Sequence, residues 1–189
     1  MKPSIVKMVR AIKLPLVLYR IEGGYGVHPR WSDVARKGPM RSYVSRVVEP
    51  EEYKAMTDEE LLRLIETELY VDEGRAEGAY PHRKAAEYLE RAMYVCPWCG
   101  LSSFESHGDV ITCKTCGKQI RYLPTKELQG VDCDFPHRFV ADWYDWQSGY
   151  INETRLTELT DAPVYTETAR LSLVIPNKHK KLLNKAATV

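Results

Sequence analysis

The sequence predicts an α/β segment at the front, a small β module in the middle and an α-rich segment ending in a strand. Three observations predict this. An apolar run, Leu14 to Ile21, precedes a firm amphipathic helix pattern between Thr57 and Tyr70. Two cysteine knuckles, Cys96-Pro97-Trp98-Cys99-Gly100 and Cys113-Lys114-Thr115-Cys116-Gly117, bracket a short hairpin pattern. Beyond Pro124 large aromatics recur at helical spacing.

The elements follow in order. Ile5, Met8, Val9 and Ile12 fall at helical spacing and predict a short amphipathic helix. Leu14 to Ile21 reads as a buried-type strand ending in the glycine turn Glu22-Gly23-Gly24-Tyr25-Gly26. After a polar stretch, His28 to Pro39, the Val, Tyr and Ser content of Met40 to Val48 predicts a second strand, broken by Glu49-Pro50-Glu51-Glu52. Thr57-Asp58-Glu59-Glu60 has the form of a capping box, and Leu61, Leu62, Ile65 and Leu69 make one apolar helix face. Asp72 to Pro81 is a polar linker, and Arg83 to Val95 reads as a second helix with Ala86, Leu89 and Met93 on one side. Leu101 to Ser106 and Asp109 to Thr112 are hairpin arms around His107-Gly108, and Gln119 to Leu123 is a third short strand. Phe139, Trp143, Trp146 and Tyr150 form an aromatic stripe continued by Leu156 and Leu159. Ala169, Leu171, Leu173 and Ile175 alternate as a strand, and Asn177 to Val189, with Lys178, Lys180, Lys181 and Lys185, reads as a loose basic tail.

The totals bound the function. The chain has 189 residues, enough for one medium domain or two small ones. Lysine plus arginine is 27 against 26 acids, a net charge of +1, so no global basic field argues for nucleic acid. No apolar run has the length of a membrane span or a signal-peptide core, which argues for a cytoplasmic chain. Four of the five cysteines sit at metal spacing, a poor disulfide framework.

The chemistry concentrates in those four. Cys96, Cys99, Cys113 and Cys116 form two C-x-x-C-G units, which bend the backbone so that four thiolates close a tetrahedral shell. That composition is the structural kind of zinc site, with one ion, and the surrounding layout is that of a zinc ribbon. His107 reads as a turn residue rather than a ligand, and Cys133 as an idle thiol. His28 and Asp33 form a His-x-x-x-x-Asp string, readable as an oriented general base or as a polar loop. Asp72-Glu73-Gly74-Arg75 is readable as an anion site on equally thin grounds. Gly23, Gly24 and Gly26 lack a nucleotide-binding pattern and mark a tight turn. The aromatic stripe is read as core in preference to a membrane-interface face.

The flanks resemble a known family. Leu14-Pro15-Leu16-Val17-Leu18-Tyr19-Arg20-Ile21-Glu22-Gly23, then Arg36-Lys37-Gly38, Met40 to Val48, Glu49-Pro50 and the helix Thr57 to Tyr70 resemble the later part of a lysophosphatidate (1-acylglycerol-3-phosphate) acyltransferase domain. The continuation from Tyr88-Leu89-Glu90-Arg91 through the first knuckle to Tyr122-Leu123-Pro124-Thr125-Lys126-Glu127-Leu128, and Asp142 to Gln147, is similar to a clostridial-type subgroup with a zinc ribbon after that domain. The resemblance implies acyl transfer from acyl-CoA or acyl-carrier protein to a lysophospholipid such as lysophosphatidate. A histidine oriented by an aspartate would act as base, and a Glu-Gly-Thr-Arg element would hold the lipid phosphate. Both motifs belong upstream of the Leu14 strand in that family. His28 to Asp33 lies on the other side of the strand and carries Pro29, and Asp72 to Arg75 lacks the threonine. Leu18 stands where many members have a second proline.

No catalytic or cofactor-binding residue is therefore carried over, and the metal set is Cys96, Cys99, Cys113 and Cys116. The expected organisation is a back half of an acyltransferase-like α/β domain at 1–72, a linker and helix at 73–95, a zinc ribbon at 96–123 and an α-rich segment at 124–189. Leu16, Leu18, Ile65 and Leu69 are expected to be partly uncovered, because the front part lacks strands to complete its sheet. The expected function is that of a non-catalytic portion of such an acyltransferase, cytoplasmic and peripheral at most on the inner membrane face. The alternative is a stand-alone zinc-ribbon module for a protein or nucleic-acid partner, with Lys114, Lys118 and Arg121 against Glu105 and Asp109 weakening the nucleic-acid case.

Overall fold

Helices and antiparallel sheets alternate in the computed structural model, which describes residues 2–153, 168–173 and 181–188. Met1–Gln147 form one compact unit and Ser148–Val189 a second.

The first unit opens with helix α1 (Ser4–Ile12), strand β1 (Leu16–Glu22), a helical turn α2 (Gly24–Val27) and strand β2 (Arg41–Val48). β1 and β2 pair antiparallel, with Leu16 opposite Val48 and Glu22 opposite Arg41. Helices α3 (Pro50–Ala55) and α4 (Asp58–Leu69) follow. Pro50 both ends the strand and starts α3, since a helix's first position needs no amide hydrogen. Thr57 caps α4 as its sequence predicts: its side chain accepts from the Glu60 amide at 3.2 Å, and the Glu60 carboxylate accepts from the Thr57 amide at 2.7 Å. Leu61 and Ile65 then enter a core with Val6, Val9, Leu18, Val48 and Tyr53. Each such aliphatic burial contributes about 2 kcal/mol.

Two expectations for this region are corrected. The buried arc of α1 runs through Val6 and Val9, while Met8 and Ile12 are exposed. Arg10 sets this rotation by donating to the carbonyls of Tyr53 and Met56 at 2.8 and 2.7 Å and pairing with Asp58 at 2.8 Å. The strand Leu14 to Ile21 is not buried on both faces. Leu18 and Ile65 are buried, and Leu16 and Leu69 half-buried, because helices cover their side. The uncovered residues lie on the opposite face: Val17, Tyr19 and Ile21 of β1 are 52%, 53% and 57% exposed, with Val44 and Val47 of β2 beside them.

The linker leaves α4 as an irregular chain, yet Tyr80 within it is buried. Its ring fills a socket so tight that a Cβ on Gly26 or Gly38 would come within 2.2 Å of it. The helix expected over Arg83 to Val95 is a single 3₁₀ turn, Leu89–Arg91. Two backbone amides that a helix would use internally go elsewhere: Ala86 donates to the Gly108 carbonyl at 2.8 Å and Glu90 to the Ser106 hydroxyl at 3.3 Å, while the Glu87 and Glu90 carboxylates accept from the Gly108 amide and the Ser106 hydroxyl. Ala86, Leu89 and Met93 are still core residues, as their apolarity requires.

Strands β3 (Val95–Cys96) and β4 (Gly100–Leu101) pair around the first knuckle. β5 (Phe104–His107), β6 (Val110–Cys113), β7 (Gln119–Tyr122) and β8 (Leu128–Val131) make an antiparallel meander in that order. β8 is a fourth strand inside the segment expected to be α-rich; four residues containing Gly130 carry too little pattern to signal it. α5 (Val140–Glu153) then packs Trp143 into the module core. Trp143 donates its indole hydrogen to the Val95 carbonyl at 2.9 Å.

In the second unit β9 (Thr168–Leu173) and β10 (Lys181–Thr188) form an antiparallel pair. Lys181 and Lys185 are thus in a strand rather than a loose tail, and Lys181 pairs with Leu173 of β9. Leu156, Leu159, Ile175, Lys178 and Lys180 lie outside the described residues.

Candidate metal centre

The first knuckle is the connection between β3 and β4, and the second is the turn between β6 and β7. Each bends through the glycine after its second cysteine: Gly100 has φ 81° and Gly117 φ 71°. A residue with a Cβ is strained in that region, and at Gly117 this is the whole reason for glycine, since open space surrounds the position. The Cys113 and Gly117 ends are tied by a Gly117 amide to Cys113 carbonyl bond of 2.9 Å.

The two bends bring the four sulfurs within 4.8 Å of one another. Cys96 and Cys116 Sγ are 3.7 Å apart, and Cys99 and Cys113 Sγ 3.6 Å apart. A tetrahedral ion with thiolates at about 2.3 Å has sulfur-to-sulfur edges of about 3.8 Å. The residues therefore fit a single four-coordinate metal ion. Cys96 and Cys113 are buried, Cys99 and Cys116 exposed, so the inner edge of the cluster is part of the core and the outer edge faces solvent.

Taken as thiols, Cys96, Cys99 and Cys113 are unequal. Burial pushes Cys96 up to about 11. Burial and the neighbouring sulfurs push Cys99 further up. At Cys113 burial opposes ionisation, but hydrogen bonds from the Ser102 hydroxyl and the amides of Cys116 and Thr115 bring it down to about 6. Ser102 Oγ lies 3.0 Å from Cys113 Sγ and 2.7 Å from Thr115 Oγ1. A serine after a knuckle carries no spacing signal, and Ser102 was not legible as part of this site.

The weaker candidates resolve differently. Asp33 is held by Arg91, whose Nη1 and Nη2 donate to its two oxygens at 2.6 and 3.1 Å. That guanidinium keeps the Asp33 carboxyl below its usual range, and no hydrogen bond joins it to His28 among the described residues. The Asp72 to Arg75 segment is no anion site: Arg75 already meets Asp142, Asp145 and Asp72 at 2.7, 2.8 and 3.2 Å. Glu73 accepts from the amides of Gly23 and Tyr25 at 2.6 and 3.2 Å, which fastens the glycine turn. His107 is exposed at the β5 end and bonds Glu105, and Cys133 points at the Gln119 carbonyl at 3.9 Å.

No known protein family, curated protein or solved structure matches this chain.

One residue outside the metal cluster stands out. Arg36 is buried against the edge-to-face pair of Trp31 and Tyr122, with its guanidinium carbon 4.9 Å from each ring centroid. Its Nη2 donates to the Ala85 carbonyl at 2.6 Å. It joins the 28–39 loop to the sheet, and burial there raises the Tyr122 phenol to about 12. No helix among the described residues is long and apolar enough to cross a membrane.

Proposed function

We propose that this chain is a non-catalytic portion of a glycerophospholipid-synthesis acyltransferase, stapled by one structural zinc ion. The uncovered β1–β2 face carries this reading. Val17, Tyr19, Ile21, Val44 and Val47 form an apolar face without charge, of the kind a larger sheet domain covers with further elements. The resemblance over Leu14 to Gly23 and Tyr88 to Leu128 supplies the chemistry. The parent reaction moves an acyl group from the thioester of acyl-CoA or acyl-carrier protein to the free hydroxyl of a lysophospholipid such as lysophosphatidate. A base takes the hydroxyl proton, the oxygen bonds to the acyl carbon, and the thiolate leaves. The catalytic motifs of this reading lie upstream of the Leu14 strand. Cys96, Cys99, Cys113 and Cys116 would hold zinc, whose role with four thiolates and no open position is to cross-link the fold.

The test is the DNA preceding the Met1 codon. A reading frame that runs on through His-x-x-x-x-Asp and Glu-Gly-Thr-Arg, with a product that acylates lysophosphatidate, is the expected result. A stop codon followed by a functional start site at Met1 overturns it. A second reading, a stand-alone zinc-ribbon module for a protein or nucleic-acid partner, is favoured by the knuckle tip. There Trp98 is 37% exposed with the Lys118 ammonium 5.7 Å from its ring centroid.

A further inference from the structure

The apolar arc of α1 is wider than its cover. Val6 and Val9 are buried, but Met8, Ile12 and the adjoining Leu14 remain 52%, 55% and 63% exposed. Met8 and Ile12 are four residues apart and so share one face, with Ala11 exposed between them. The helix stops at Lys13, whose left-handed backbone (φ 57°) turns the chain into Leu14 and Pro15, both exposed.

Cations surround this patch. Lys2, Lys7 and Lys13 are exposed, and no ion pair among the described residues involves them. Asp58, the acid of α4 that reaches α1, is taken by Arg10. Within residues 1–13 Lys2, Lys7, Arg10 and Lys13 stand against no acid, while α3 and α4, which pack on α1, carry Glu51, Glu52, Asp58, Glu59 and Glu60, of which Glu52 is paired with Arg46 and Asp58 with Arg10.

We propose that this end of α1 docks on an anionic phospholipid surface. Met8, Ile12 and Leu14 enter the headgroup layer, and Lys2, Lys7 and Lys13 face the lipid phosphates. Apolar side chains flanked by lysines are the chemistry of an interfacial helix. A protein partner fits less well, because lysine is depleted in protein–protein interfaces. Nucleic acid fits less well too, since aliphatic side chains offer no stacking surface. The patch differs from the β1–β2 face, which carries no lysine, and the inference stands without the acyl-transfer reading.

The experiment is sedimentation of the full chain with vesicles of phosphatidylcholine alone and of phosphatidylcholine with about a third phosphatidylglycerol, at low and high salt. The expected result is binding to the anionic vesicles, roughly tenfold weaker on neutral ones and weakened by salt. Met8→Asp with Ile12→Asp, and separately Lys7→Glu with Lys13→Glu, lower the bound fraction about fivefold or more with unchanged melting, since all four side chains are exposed. Val17→Asp with Val44→Asp leaves binding unchanged. No binding, equal binding to neutral vesicles, or loss in the Val17/Val44 variant instead of the α1 variants overturns the proposal.

Discussion

At the residue scale, the four-cysteine cluster rests on two kinds of support. The glycines at 100 and 117 allow the bends, and Ser102 steadies the Cys113 sulfur. Replacing any one ligand leaves three thiolates and an open position. Cys113→Ser should therefore drop metal content from about one ion per chain to well under half, measured by elemental analysis after gel filtration. His137 gives a pH dependence. Its ring sits between Phe135 and Trp146, and burial holds it below its ordinary 6.5, with Asp142 partly opposing the shift. A histidine depressed on folding favours the folded chain above its unfolded value, and that stability is lost as pH falls from 6.5 toward the folded value. His137→Phe should flatten this part of the melting-temperature profile between about pH 7 and 5, relative to the parent chain under the same metal conditions. An unchanged slope would remove His137 as the cause.

At the element scale, α4 is the most self-sufficient piece. Its capping box satisfies two backbone donors reciprocally, so Thr57→Ala should cost about 1 kcal/mol in urea unfolding. Thr57→Asp should recover most of it, since a carboxylate caps as well. α1 is the opposite case. Its sequence periodicity gives a helix but not a rotation, and Arg10 reaching the carbonyls of Tyr53 and Met56 decides which side is buried. The Leu89–Arg91 turn shows the same dependence. Ala86, Leu89 and Met93 keep a helical order of apolar residues, but the Gly108 carbonyl takes the Ala86 amide and the local bonds that remain close only three-residue turns.

At the scale of the whole molecule, the first unit holds two core clusters. One gathers on α1, α3 and α4 with β1 and β2, and the other on the β5–β8 meander with α5. Cys96 and Cys113 belong to the second cluster alone. Chelation of the metal should therefore abolish amide protection in residues 96–131 while α4 keeps most of its own, read by hydrogen exchange. Equal loss in both regions would show one cooperative core.

The four-cysteine cluster and the α4 cap were legible in the sequence because their chemistry is local: two cysteines three apart, a threonine three before a glutamate. The positions of α1, β1, β2 and α4 were legible for the same reason. What folding decided was which faces and which partners. The exposed side of β1, the burial of Arg36 against Trp31 and Tyr122, and the pairing of Asp33 with Arg91 all depend on residues distant in sequence. A period of two or 3.6 residues gives an element its sides but not the neighbour that covers them. That neighbour is set by long-range packing, which a pattern of nearby residues does not contain.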